Sequence, residues 1–225
     1  MADLNITEWQ KWCENEKGKD TIVFPERRGI NGEQFLHDLS RKVPSSSIVT
    51  SDVGQHQMWV AQHYKIQHPS QHLSSGGLGT MGFGLPAAIG AQFADPDALV
   101  INVSGDGGIM MNIQELATIY RYQLPLKVIV LDNHRLGMVR QWQELFLEKR
   151  YSEIDLSDNP DFANLARAFQ VPAIQVQHPD EVSSAIDTIL STAGPLLVHV
   201  IVHPDDMVWP IVPPGCANQE MLEAP

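Results

Sequence analysis

Residues 99–108 read Leu99-Val100-Ile101-Asn102-Val103-Ser104-Gly105-Asp106-Gly107-Gly108, an apolar run that ends on three glycines set around one aspartate. Short runs rich in Val and Ile, bounded by turn residues, are the mark of a strand buried on both faces. The pattern returns one strand–helix unit later, where Lys127 to Leu131 lead into Asp132-Asn133-His134. Working outward, Ser47 to Thr50, Leu99 to Val103, Ala173 to Val176 and Leu196 to Val202 read as further buried strands. Helical spacing is predicted between them near 31–43, 54–63, 84–94, 111–122, 138–149, 159–169 and 180–192. Asn159-Pro160 supplies a cap and a first-turn proline, and Pro179-Asp180 with Gly194-Pro195 brackets the last helix. Strands alternating with helices predict an α/β fold, a mostly parallel sheet with helices on both faces.

In such a sheet, the two polar segments sit at the carboxyl ends of neighbouring strands, where open α/β sheets bind ligands. A hard cation takes oxygen ligands, and magnesium draws one or two from protein and the rest from phosphate and water. Asp106 can supply a carboxylate oxygen and Asn133 an amide oxygen. Gly105, Gly107 and Gly108 let the backbone approach a diphosphate and offer it N–H groups. A helix starting near Met111 would direct its positive end at the same anion. Taken singly, Asp106-Gly107 reads as a turn and Asn133 as a helix cap. Together, at matched strand ends, they favour a cation–diphosphate site.

Two more segments belong to the same sheet edge. Ser51-Asp52-Val53-Gly54-Gln55-His56-Gln57-Met58-Trp59 follows a strand, and Gln55 and His56 can donate to phosphate at a helix N-terminus or serve as cap and surface residues. Gly77-Leu78-Gly79-Thr80-Met81-Gly82 carries the spacing of a dinucleotide-binding loop. That fingerprint needs a strong apolar strand just before it, whereas His68-Pro69-Ser70-Gln71-His72 stands there. The glycines more naturally let backbone lie against a flat ring, with Met81 either an apolar wedge under it or part of the core.

The combination Gly105-Asp106-Gly107 with Asn133 resembles the signature of thiamine-diphosphate enzymes. Longer stretches resemble the catalytic subunit of bacterial acetolactate (acetohydroxyacid) synthases, the isozyme II group most of all: Thr50 to Trp59, Gly77 to Ala88, Arg135-Leu136-Gly137-Met138-Val139-Arg140-Gln141-Trp142, and Trp209-Pro210-Ile211-Val212-Pro213-Pro214-Gly215. The likeness runs from about residue 30 to the end and departs at Asp132, where many thiamine enzymes carry a second Asn. It implies the pyrophosphate domain of the thiamine-diphosphate-binding fold. Asp106, Asn133 and the main-chain oxygen of Arg135 would hold Mg2+. Val53, Gly54, Gln55, His56, Gly107, Gly108, Leu136, Gly137 and Met138 would contact the cofactor, Met81 would support its bend and Gly79 would meet the aminopyrimidine. Met138 and Trp142 would line the pocket for a second ketoacid, although Trp142 taken by itself is an ordinary helix aromatic.

The resemblance also implies decarboxylation of pyruvate and transfer of the two-carbon unit to pyruvate or 2-oxobutyrate, at the start of valine and isoleucine synthesis. It implies FAD in the complete enzyme, a homodimer, a small regulatory subunit, and an activating glutamate on another domain. No catalytic residue is assigned within this chain. Residues 1–30 are expected to be the remnant of an interdomain linker, 31–204 the thiamine-diphosphate/Mg-binding domain and 205–225 a proline-rich tail, with the missing domains upstream. A separately encoded module pairing with a pyrimidine-domain chain, or another thiamine-dependent carboligase, would share Asp106 and Asn133.

A net charge of -12 argues against nucleic acid or an anionic membrane surface as partner. At 43% hydrophobic and 19% charged the composition is that of a globular protein. No signal peptide and no apolar run of roughly 18 residues is evident, and Cys13 and Cys216 fit no metal or redox spacing, so a cytoplasmic protein with reduced thiols is expected.

Overall fold

The computed structural model describes residues 6–17, 24 and 28–224. Six strands form one wholly parallel sheet in the order β2-β1-β3-β4-β6-β5. They are β1 (Ile48–Ser51), β2 (His72–Ser74), β3 (Val100–Gly105), β4 (Lys127–Asp132), β5 (Ala173–Val176) and β6 (Leu196–Ile201). Every residue of β3 and β4 is buried. Their side chains divide by the two-residue period of a strand. Ile101, Val103, Ile129, Leu131, Val198 and Val200 face α2 (Gly32–Lys42), α3 (Gln55–His63) and α9 (Val182–Ser191). Val100, Val128, Val130 and Leu197 face α4 (Gly84–Ala94), α6 (Leu116–Tyr122) and α8 (Phe162–Ala168).

Five strands lie where the apolar runs predicted them. The sixth, β2, was not expected: three half-buried residues on the sheet edge, His72-Leu73-Ser74, carry too little apolar signal to read as a strand. The predicted helix over 111–122 is broken. A single turn, α5 (Asp106–Ile109), follows β3 directly, and α6 begins only after a 3-10 turn at Ile113–Glu115. Asn112 lies at the break and donates its side-chain N–H to Gly82 O at 2.8 Å, tying the chain to another loop. The helix predicted from 138 is α7 (Gly137–Phe146), which stops short of 149 where Glu148 and Lys149 take left-handed φ of 53° and 58°. Asp161, not Asn159, caps α8, its carboxylate accepting from Asn164 N at 2.9 Å. The helix starts at Phe162, so Asn159 lies two residues before the cap position, and the Asp161 carboxylate also suits the positive end of the helix.

The proposed linker, residues 1–30, falls partly outside the described residues. Within it, α1 (Thr7–Lys17) leaves Trp9 and Trp12 exposed, at 62% and 59%. Ile30 pairs with Val202 and is buried in the core. The C-terminal stretch is ordered onto the domain: Val208 is fully buried and Ile211 nearly so. No helix among the described residues is long and apolar enough to cross a membrane.

The sheet order fixes where a ligand can sit. From β1 the chain goes outward to β2 and then returns to the other side of β1 for β3, so the crevice at the carboxyl ends of β1 and β3 is the topological switch point. Asp52-Val53-Gly54 leaves β1 there, Asp106 leaves β3, and Asn133 leaves the adjacent β4.

Candidate cofactor site

A cavity of about 260 Å³ opens at this switch point. It gathers Val53, Gly54, Gln55, His56, Met81, Asp106, Gly107, Gly108, Asn133, Leu136, Gly137 and Met138 from four separate loops. Three expected residues do not line it. Gly79 lies exposed on its loop. Arg135 turns its guanidinium toward Asp205, at 3.8 Å, while its main chain bridges Asp155. Trp142 stands one turn beyond Met138 on α7, partly exposed and edge-on to Phe146.

Asp106 is 2% exposed, and its Oδ2 has no hydrogen-bond partner among the described residues. Burial, followed by the nearby charge of Asp132, pushes its carboxyl up to about 8. A buried carboxylate beside another acid, with one oxygen unsatisfied, is what a cation would relieve. Among the described residues Asn133 Oδ1 accepts only the Arg135 N–H at 3.1 Å, which leaves a carbonyl lone pair in reserve. Among the described residues no three His, Cys, Asp or Glu are grouped to hold a metal. The donor set is therefore hard, sparse and oxygen-based, and it fits magnesium completed by phosphate and water. The segment that follows β3 along the cavity is the single turn at Asp106–Ile109, not a helix beginning at Met111.

Asp132, where the sequence departs from the usual pattern, has its own partners. Its Oδ2 lies 2.7 Å from His199 Nε2, and its Oδ1 accepts from His134 N at 2.8 Å. Burial alone would raise its pKa, but these hydrogen bonds and the charges of the two imidazoles hold it low. Asp132 thus stays ionised behind Asp106.

His56 is committed to the protein. Its Nε2 accepts from Gly105 N at 3.2 Å, its ring also bonds the Asp52 main chain, and burial lowers its pKa to about 4. A Cβ on Gly105 would come within 2.9 Å of this ring, so only glycine allows the contact. Its ring nitrogens being spent here, His56 has no N–H left for phosphate. The unfolded chain takes up this proton near the ordinary 6.5 and the folded chain only near 4, so stability falls as pH drops through that window. His56→Gln is expected to remove up to roughly 3 kcal/mol of the stability difference between pH 7 and pH 4.5. Urea unfolding at both pH values checks this, and an unchanged difference would mean that His56 is not held neutral.

The main structural support that sequence reasoning missed is Asp52. Fully buried, it accepts from Val53 N at 2.7 Å, Gly82 N at 2.9 Å and Gly84 N at 3.1 Å. It thereby ties the loop carrying Met81 to the end of β1.

Comparison with known proteins agrees with this geometry. Residues 52–200 match the thiamine pyrophosphate enzyme family, C-terminal TPP binding domain. The chain is 50% identical over 221 residues to the acetolactate synthase isozyme 2 large subunit of Escherichia coli K12, covering 98% of this chain and 40% of that protein. A probable acetolactate synthase large subunit of Methanocaldococcus jannaschii is 43% identical, with 96% and 38% covered. The acetolactate synthase large subunit of Parasynechococcus marenigrum is 41% identical, with 100% and 36% covered. The chain thus spans about two fifths of the length of the curated relatives it matches. By its fold, by the residues at its switch point and by this likeness, the chain belongs to the thiamine pyrophosphate enzyme family, as that family's C-terminal cofactor-binding domain.

Proposed function

We propose that the chain is the cofactor-binding part of an acetolactate synthase large subunit, and that it holds thiamine diphosphate through Mg2+ on Asp106, Asn133 and the Arg135 main-chain oxygen. The observation that carries this reading is the convergence of Asp106, with its unpartnered Oδ2, and Asn133 on one small cavity at the β1/β3 switch point. When bound, thiamine diphosphate supplies the electron sink that makes decarboxylation of a 2-ketoacid feasible. The residues of this chain bind and orient. Gly107 and Gly108 present backbone to the diphosphate, and Met81 with Leu136 gives the cavity an apolar wall. Met138, and Trp142 at i+4 on the same face of α7, would border the pocket for the second ketoacid.

The complete enzyme would decarboxylate pyruvate and pass the two-carbon unit to pyruvate or 2-oxobutyrate. FAD, an activating glutamate on a further domain, a homodimer and a small regulatory subunit would complete that enzyme. Residues 1–30, 31–204 and 205–225 would serve as linker, cofactor domain and tail, in the cytoplasm. Calorimetric titration of thiamine diphosphate into the chain tests the reading. Binding is expected with magnesium present and not in EDTA, and pyruvate turnover is expected to be absent. Equal binding in EDTA would sink the metal assignment, and enzyme-like turnover would sink the need for further domains.

A further inference from the structure

We propose that Gln141 is a positioning residue that fixes which end of the Asn133 amide faces the cation, by relaying the polarity of the backbone at residues 206–208. The inference rests on the magnesium site proposed above. It starts from a difficulty every amide ligand has. The two ends of a carboxamide have nearly the same shape, yet only the oxygen binds a cation. Something must therefore hold Asn133 the right way round.

The structure contains an unbroken chain of buried hydrogen bonds that does so. Asn133 Nδ2 donates to Gln55 Oε1 at 3.1 Å. Gln55 Nε2 donates to Gln141 Oε1 at 3.1 Å and to Asp206 O at 2.7 Å. Gln141 in turn takes the Val208 N–H on its Oε1 at 2.8 Å and gives its Nε2–H to Val208 O at 2.9 Å. An amide side chain can flip, but a peptide N–H and C=O cannot exchange places. Val208 therefore fixes the sense of Gln141, and Gln141 together with Asp206 O fixes Gln55. Gln55 is left with only its oxygen to offer Asn133, so Asn133 must turn its nitrogen inward and its oxygen toward Arg135 N and the cavity.

Two further observations support the relay. Gln141 is fully buried and Gln55 is 4% exposed, so no bulk water competes for these bonds. Gly137 lies directly beneath the chain: a Cβ there would stand 2.0 Å from Gln55 Oε1 and 2.6 Å from Asn133 Nδ2. The fold has cleared space for this contact at the first residue of α7.

Removing Gln141 unpins the backbone at 208 and loosens the Asp206 carbonyl beside it, so both reference points are lost at once. The test is calorimetric titration of magnesium chloride into the full chain with thiamine diphosphate present, in two backgrounds. With Asn133 in place, Gln141→Leu is expected to weaken magnesium binding about tenfold, within the range of losses seen when a ligand's outer partners are removed. In the Asn133→Asp background the ligand is a symmetric carboxylate with no orientation to lose. There the same Gln141→Leu change is expected to cost less than about twofold, because an outer partner that only orients has nothing left to orient. Gln141→Glu keeps the acceptor for Gln55 Nε2 and Val208 N–H but loses the donor to Val208 O. It is expected to weaken magnesium binding by about threefold to tenfold with Asn133 in place and less than about twofold with Asn133→Asp, and it serves as the probe if the leucine variant does not fold. Equal losses in both backgrounds would overturn the proposal, since a merely structural glutamine would weaken both alike. No loss with Asn133 in place would also overturn it. A parent chain that takes up no magnesium would instead overturn the site reading itself, and the relay with it.

Discussion

Asp106→Ala is expected to abolish magnesium-dependent binding of thiamine diphosphate, with a loss of at least about 100-fold, since outer partners of a metal ligand alone are worth 10- to 100-fold. The reason lies in how little else the protein offers the cation. Asn133 would contribute only an uncharged oxygen, and among the described residues no cluster of three His, Cys, Asp or Glu stands ready to hold a metal. Asp106→Asn, close in shape but unable to ionise, should act in the opposite direction on the metal-free fold. The folded chain keeps a proton on Asp106 up to about 8, whereas the unfolded chain releases it near 3.8. In that window the folded state binds more protons, so the stability contributed by this group declines as pH rises. Asp106→Asn removes that decline. In EDTA the variant should melt higher than the parent at pH 8 and gain less at pH 5, while binding the cofactor poorly. Parallel melting curves at the two pH values would show that the carboxyl group is not strained, and unchanged magnesium dependence would dismiss it as a ligand.

Asp52→Ala carries the largest expected cost to the fold itself. Its carboxylate serves three backbone N–H groups, those of Val53, Gly82 and Gly84, and no part of it reaches water. Alanine would leave these donors buried and unsatisfied, at about 3–5 kcal/mol in total. Set against a typical stability of about 5–15 kcal/mol, that is a large share. Asp52→Asn keeps one acceptor oxygen and should lose roughly half as much. Urea unfolding measures both, and a loss below about 1 kcal/mol for alanine would mean that the loop finds other partners. Because Gly82 is the neighbour of Met81, the damage should extend to the cavity wall even in protein that remains folded.

The contrast between Asp106 and Asp52 shows what a sequence makes legible. Asp106 and Asn133 could be read because each follows a Val/Ile-rich strand, and strand ends are local features. The parallel sheet was readable for the same reason, since β3 and β4 announce themselves by composition. Asp52 stands in a similar position after β1, yet its partners lie 30 and 32 residues away, where an irregular loop enters α4. Gln141 looks like one polar residue among several on α7, and its partner Val208 is 67 residues distant. No periodicity encodes such pairings; they exist only once the fold has brought the segments together. β2 stayed hidden for a related reason: an edge strand of three residues is chosen by its neighbour β1 more than by its own propensity. The interruption of the helix over 111–122 likewise comes from Asn112 reaching Gly82, a tertiary contact.

The anchoring of residues 205–208 on α7 also has a consequence for timing. Arg140 holds Asp205 at 2.9 Å, and Gln141 holds Val208 by two bonds. A ribosome releases the chain from its N-terminus, so Asp106, Asn133 and Gln55 all emerge before Val208 does. A growing chain would therefore carry both proposed side-chain ligands before it carries the backbone proposed to orient one of them. On the proposed relay, a site able to hold magnesium correctly would form only in a domain whose synthesis has passed residue 208.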